Sequence, residues 1–170
     1  MYGELQESAG RSQLRFTRRL PHSREKVWEA LTEPEHLAAW FPTTIEGERA
    51  AGARLRFSFP NNEGPPFEGE MITYDPPSVL EFRWGEDVIR IEVAPDGDGS
   101  VLTLVDTLDD RGKAARDAAG WHVKLDALAS HLLGEDIAGE ESDRWPPLNA
   151  DYAERFGPEA ATIGPPEGFE

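Results

Sequence analysis

A chain of 170 residues with a net charge of −16 has room for one domain and an appendage, and its acidity speaks against nucleic acid or an anionic membrane as partner. The absence of cysteine excludes a disulfide frame and thiolate chemistry. No apolar run approaches the roughly 20 residues that cross a bilayer, and the polar start MYGELQESAGRSQ carries no signal-peptide core, so a cytoplasmic protein is expected.

In chain order, QLRFTRRL (Gln13–Leu20) alternates loosely and predicts a first strand. Ser23 suits a helix N-cap, and Val27, Trp28 and Leu31 make an apolar helix face. Pro34 ends that helix and opens a second short one reaching Trp40. Strand-like runs follow at Ala53–Phe59, Phe67–Tyr74, Val79–Trp84, Asp87–Val93 and Val101–Leu108. Between them lie a loop at Asn61–Pro66, the segment DPPS, a two-residue turn at Gly85-Glu86 and the turn PDGDG. The predicted order is strand, two helices, about six strands and a long helix.

Alternation within these runs implies an antiparallel sheet with one wet face. Arg54, Arg56, Glu68, Glu70, Glu81, Arg83, Arg90 and Glu92 fall on that face and read as solvated cross-strand pairs. Phe57, Phe59, Met71, Phe82, Trp84, Ile91 and Leu104 fall on the dry face, more aromatic bulk than one covering helix needs.

The long helix is predicted within Ala115–Gly134, where Ala118, Leu125, Ala129 and Leu132 lie close to one line. Trp121 and His122 flank that line on opposite sides. Gly120 costs the helix about 1 kcal/mol relative to alanine; it suits a close approach by a strand or loop backbone, or a bend. A helix laid across a curved sheet leaves a tapered gap. The expected fold class is therefore α+β, a curved antiparallel sheet wrapped around a long C-terminal helix, with a cavity on the order of 300–1,000 Å³ between them.

Beyond Gly134 the chain turns acidic: Glu135 to Glu170 hold ten acidic and two basic residues, a balance of −8. Trp145, Leu148, Tyr152 and Phe156 recur at roughly helical spacing and predict a short helix that docks on the domain. One domain over residues 12–157 is expected, with 135–157 as its docked extension and 158–170 as a mobile, Pro/Gly-rich acidic tail.

Candidate chemistry is sparse. His22, His36, His122 and His131 show no metal-ligand spacing, and no nucleophile motif, phosphate loop or cofactor signature occurs. Asp106 shares parity with Leu104, so it is expected to face the core, where His122 on the covering helix would be its partner. This pair is the weak candidate for acid–base chemistry. The expected ligand-binding residues are Trp28, Trp40, Phe57, Phe59, Met71, Phe82, Trp84, Ile91, Leu104, Trp121, His122 and Leu125. A small hydrophobic molecule is the expected partner, bound by a monomer or homodimer.

The order of elements, the early VWEALTEPEHLAAWF, the strand ending LTLVDTL and the helix AAGWHVKLDALASHL resemble the START-like, Bet v 1-like (SRPBCC) helix-grip superfamily. Within it, Gln13 to Gly134 look like the branch named for the activator of Hsp90 ATPase, in its small bacterial form. The pattern of Trp145, Leu148, Tyr152 and Phe156 is similar to a common extension of that branch. The resemblance implies a cavity that binds hydrophobic ligands, or one that hosts a cyclase- or hydrolase-like activity. The name of the branch implies a chaperone partner.

Overall fold

Apolar residues at every second position, punctuated by turn residues, build most of the chain into one antiparallel sheet. The computed structural model describes residues 1–60, 64–135 and 140–164. Its strands are β1 (Glu4–Ser8), β2 (Arg11–Leu20), β3 (Thr44–Glu46), β4 (Arg54–Ser58), β5 (Phe67–Asp75), β6 (Val79–Trp84), β7 (Asp87–Asp96) and β8 (Gly99–Thr107). Its α-helices are α1 (Arg24–Thr32), α2 (Pro34–Trp40), α3 (Ala114–Leu132) and α4 (Glu141–Phe156). The eight strands pair antiparallel in the order β1-β2-β8-β7-β6-β5-β4-β3. The expected fold class holds, with one strand more than expected before the helices and a three-residue β3 that the sequence pattern does not mark.

Register explains the two faces. On the outside, Arg54 stands opposite Glu70, Arg56 opposite Glu68, and Glu81 opposite Arg90. Arg90 bridges Glu81 and Glu92. On the inside, Leu14 and Phe16 of β2, Ile89, Ile91 and Val93 of β7, and Leu102 and Leu104 of β8 are buried. In the α1–α2 corner, the Ser23 side chain accepts from the Lys26 N–H, and Pro34 opens α2. Trp40 donates its Nε1–H to the Ala30 carbonyl, locking the corner.

The 19 residues of α3, about 28 Å of helix, lie against the inner face. The helix is buried on more than one stripe, because the sheet covers one side and α4 another. Gly120 faces α4: a Cβ there would have the Trp145 Nε1 atom at 4.0 Å as its nearest neighbour. The close approach expected at Gly120 is thus made by a helix side chain, and only at ordinary contact distance.

The extension is docked, as α4. Leu148 and Tyr152 are buried, and Lys124–Glu141 and Asp126–Arg144 tie α4 to α3. At the start of the expected tail, Pro158–Ala160 form a 3-10 turn, Ala160 is buried, and the Ile163 N–H donates to the Gly112 carbonyl. Residues 165–170 lie outside the described residues. No helix among those described is long and apolar enough to cross a membrane.

Candidate functional site

Six rings meet between α3 and strands β4–β6. Phe41, the C-cap of α2, packs against Phe82, Trp84 and Trp121 with centroids 6.2, 5.3 and 5.9 Å away. Phe57 of β4 lies 4.8 Å from Trp84 and 5.1 Å from Phe67. Phe67 meets Trp84 edge-on at 4.8 Å, and Trp84 reaches Trp121 at 6.3 Å. Such edge-to-face and offset contacts add to the burial of the rings themselves. Gly69 makes room for this: a Cβ there would fall 2.1 Å from the Arg83 carbonyl oxygen and 2.7 Å from Phe57. Phe41, Phe57, Phe82 and Trp121 are buried, while Phe67, Trp84 and Phe59 are half-buried and form a rim.

The space expected to be a void is taken by these rings. Two hollows among the described residues lie elsewhere. One, of about 240 Å³, sits on the outer sheet face among Gln13, Arg15, Glu81, Arg90 and Thr103; another, of about 360 Å³, lies by Tyr2 and Arg155.

The expected ligand residues divide accordingly. Phe57, Phe82, Trp84 and Trp121 come together, with Phe59 at the rim against Phe67. Met71, Ile91, Leu104 and Leu125 are buried in the same core. Trp28 packs on Tyr74, 5.7 Å away, and Trp40 serves the helix corner. Phe41 and Phe67 join the cluster without being among the expected residues. Phe67 shares parity with Gly69 and Met71, so the sequence does carry a signal for it.

Asp106 does face inward, but His122 is not its partner. Asp106 is 1% exposed, and its Oδ2 accepts the Trp121 Nε1–H at 3.0 Å. Its neighbours are Asp87, at the start of β7, and Asp117, in the first turn of α3. Asp87 accepts from Lys113 Nζ at 2.7 Å and from the Asp109 N–H, and Asp117 accepts from Arg116 at 2.9 Å. Burial, then the charges of Asp87 and Asp117, push the Asp106 carboxyl well above the usual range, and the Trp121 bond opposes them only in part. Burial likewise raises Asp117 against the pull of Arg116. Asp87 is a further residue outside the expected set, although it shares parity with the buried Ile89 and Ile91.

Adjacent helix residues point about 100° apart, so Trp121 and His122 cannot both face β8. His122 turns to α4, where its Nδ1 meets the Tyr152 hydroxyl at 2.8 Å. Tyr152 also accepts the Gly3 N–H at 2.8 Å, and its proton is left to donate to His122. Burial lowers the His122 pKa; Asp126, 3.7 Å from Nε2, resists and Arg18 assists. An Asp106–His122 ion pair would lower the aspartate and raise the histidine, the opposite of both shifts, so the structure does not bring the expected pair together. A second histidine contact, His36 Nδ1 to His131 Nε2 at 2.7 Å, joins α2 to α3.

The family model for activator of Hsp90 ATPase homolog 1-like protein matches residues 21–133. Among solved structures, the chain is similar to the conserved protein of unknown function EF2215 from Enterococcus faecalis, with 20% identity, a TM-score of 0.75, and 91% of this chain and 90% of that one covered. It is similar to CalU16 from Micromonospora echinospora, with 20% identity, a TM-score of 0.70, and coverage of 89% and 96%. The AHSA1-like protein from Aeromonas hydrophila aligns at 16% identity and a TM-score of 0.61, covering 72% of this chain and 92% of its own. At these identities the likeness concerns the fold. No curated protein matches the chain.

Proposed function

The chain belongs to the activator of Hsp90 ATPase homolog 1-like family, and from that premise we propose that it binds a small apolar or aromatic molecule between the sheet and α3. The observation that carries the reading is the six-ring cluster, with its half-buried rim of Phe67 and Trp84 over buried Phe57, Phe82 and Trp121. A core needs no aromatic rim open to water, whereas a ligand site uses apolar walls with one convergent polar group. Here that group is the Trp121–Asp106 bond at the floor. A ligand enters by rotating the rim rings and takes the space that they fill in the free protein.

The test is a titration of full-length protein with a naphthyl or indole probe, followed by tryptophan emission and native mass spectrometry. Saturable quenching at a stoichiometry of one is expected. Trp121→Ala should weaken binding by about tenfold, which is about 1.4 kcal/mol. Absence of saturable binding by either probe, or an affinity unmoved in Trp121→Ala, overturns the reading.

A further inference from the structure

We propose that Asp87, Asp106 and Asp117 form a binding site for one oxygen-seeking divalent cation, of the Ca²⁺ or Mn²⁺ type, at the junction of β7, β8 and the first turn of α3. One carboxylate oxygen from each lies within 4.8 Å of the others. Oxygens about 2.3–2.6 Å from a Ca²⁺ ion stand up to about 5 Å apart across it, so the three side chains already have the right spread.

A second observation points to an occupant. Asp106 is 1% exposed; Trp121 satisfies its Oδ2, while its Oδ1 is buried with no hydrogen-bond partner. A buried carboxylate oxygen is costly to leave unmatched and calls for a donor or a cation. The cations nearby do not bond to Asp106: Lys113 holds Asp87 and Asp109, and Arg116 holds Asp117. Asp87, Asp106, Asp109 and Asp117 when ionised carry four negative charges, and Lys113 and Arg116 return two positive ones. The remaining −2 is what one divalent cation neutralises. Entry runs past Lys113 and Asp117, the partly exposed members, and a lysine on its flexible stem can swing aside. The oxygen-only donor set favours Ca²⁺, Mn²⁺ or Mg²⁺ over the softer transition metals.

A proton on Asp106 is the competing occupant. The carboxylates must be deprotonated to hold a cation, so a proton and a metal ion compete for Asp106 and any proton there is expelled on binding.

The experiment uses the full-length, chelator-treated protein, with Mn²⁺ followed by electron paramagnetic resonance and Ca²⁺ by calorimetry and thermal unfolding. One ion per chain is expected, with a Kd on the order of 10⁻⁵–10⁻³ M. The apparent Kd should tighten as pH rises over any range in which binding displaces a proton. Trp121 emission should change, since its Nε1–H shares the Asp106 carboxylate. Asp106→Asn keeps an acceptor for Trp121 and should abolish the saturable site; Asp117→Asn, at the exposed side, should weaken it at least tenfold and serves if the first variant fails to fold. Absence of a saturable Mn²⁺ signal up to about 10 mM at pH 8 overturns the proposal and leaves the proton as sole occupant. Binding undiminished in a folded variant also overturns it and assigns the ion to the acidic surface.

Discussion

Asp106 shows how far side-chain parity reads. Alternation along LTLVDTL places it inside, and it is inside. Its partner is not legible, because helix periodicity gives the apolar arc but not which of two adjacent residues meets a given strand. With a folded pKa above the unfolded value of about 3.9, Asp106 binds its proton more tightly in the native state. Its contribution to stability is therefore fully present below about pH 3.9 and is lost as pH rises through the folded value. Asp106→Asn cannot ionise, so in chelator-treated buffer its unfolding free energy relative to wild type should grow as pH is raised from about 4 upward. Urea unfolding from pH 4 to 8 checks this, and parallel profiles would show that the carboxyl titrates normally. Gly120 gives a second prediction. It sits inside α3, and a methyl group added there would meet only the Trp145 Nε1 atom, at 4.0 Å. Gly120→Ala should stabilise the protein by about 1 kcal/mol, read from the denaturation midpoint.

Element by element, legibility follows the strength of the local signal. β6 to β8 alternate cleanly, β6 and β7 end on Gly-containing turns, and α1 to α3 carry caps or periodic apolar faces. β1 (ELQES) has neither: it is polar and mostly exposed, and its hairpin turn is Ala9-Gly10, with φ of 51° and 78°. The Asn-Gly or Asp-Gly pair that marks such turns is missing. What holds β1 is distant in sequence. Tyr152 of α4 accepts the Gly3 N–H, and Tyr2 packs against His122 and Tyr152 at 5.3 and 5.2 Å. α4 is legible by its apolar spacing but not by its length, since Pro146 and Pro147 lie inside it and read as a boundary. Tyr152, fully buried, thus joins β1, α3 and α4 through one hydroxyl. Tyr152→Phe leaves the Gly3 N–H and His122 without that partner, and should cost about 1–3 kcal/mol in chemical denaturation while the family-matched core stays folded. An unchanged midpoint would show that water replaces the hydroxyl at no cost.

For the molecule as a whole, the dry face, the covering helix and the docked extension are readable because each depends on periodicity. The filling of the cavity is not. Whether a surplus of aromatic rings surrounds a void or fills it depends on how the rings interlock, and that is decided by contacts such as Phe41 on Trp121, which join α2 to α3. The junction of Asp87, Asp106 and Asp117 is hidden for the same reason, since it is built only where β7, β8 and the first turn of α3 pack together. The sheet order has a further consequence. β2 lies between β1 and β8, and Gln13 bonds to Thr107, 94 positions later. Closing so long a loop carries an entropic penalty that local hairpins such as β6–β7 avoid. During synthesis, Leu14 and Phe16 leave the ribosome long before Leu102 and Leu104 exist to cover them. Until β8 is made, the nascent chain must therefore carry β2 with only β1 beside it and its apolar face uncovered, and that hairpin is where a holding chaperone would find it.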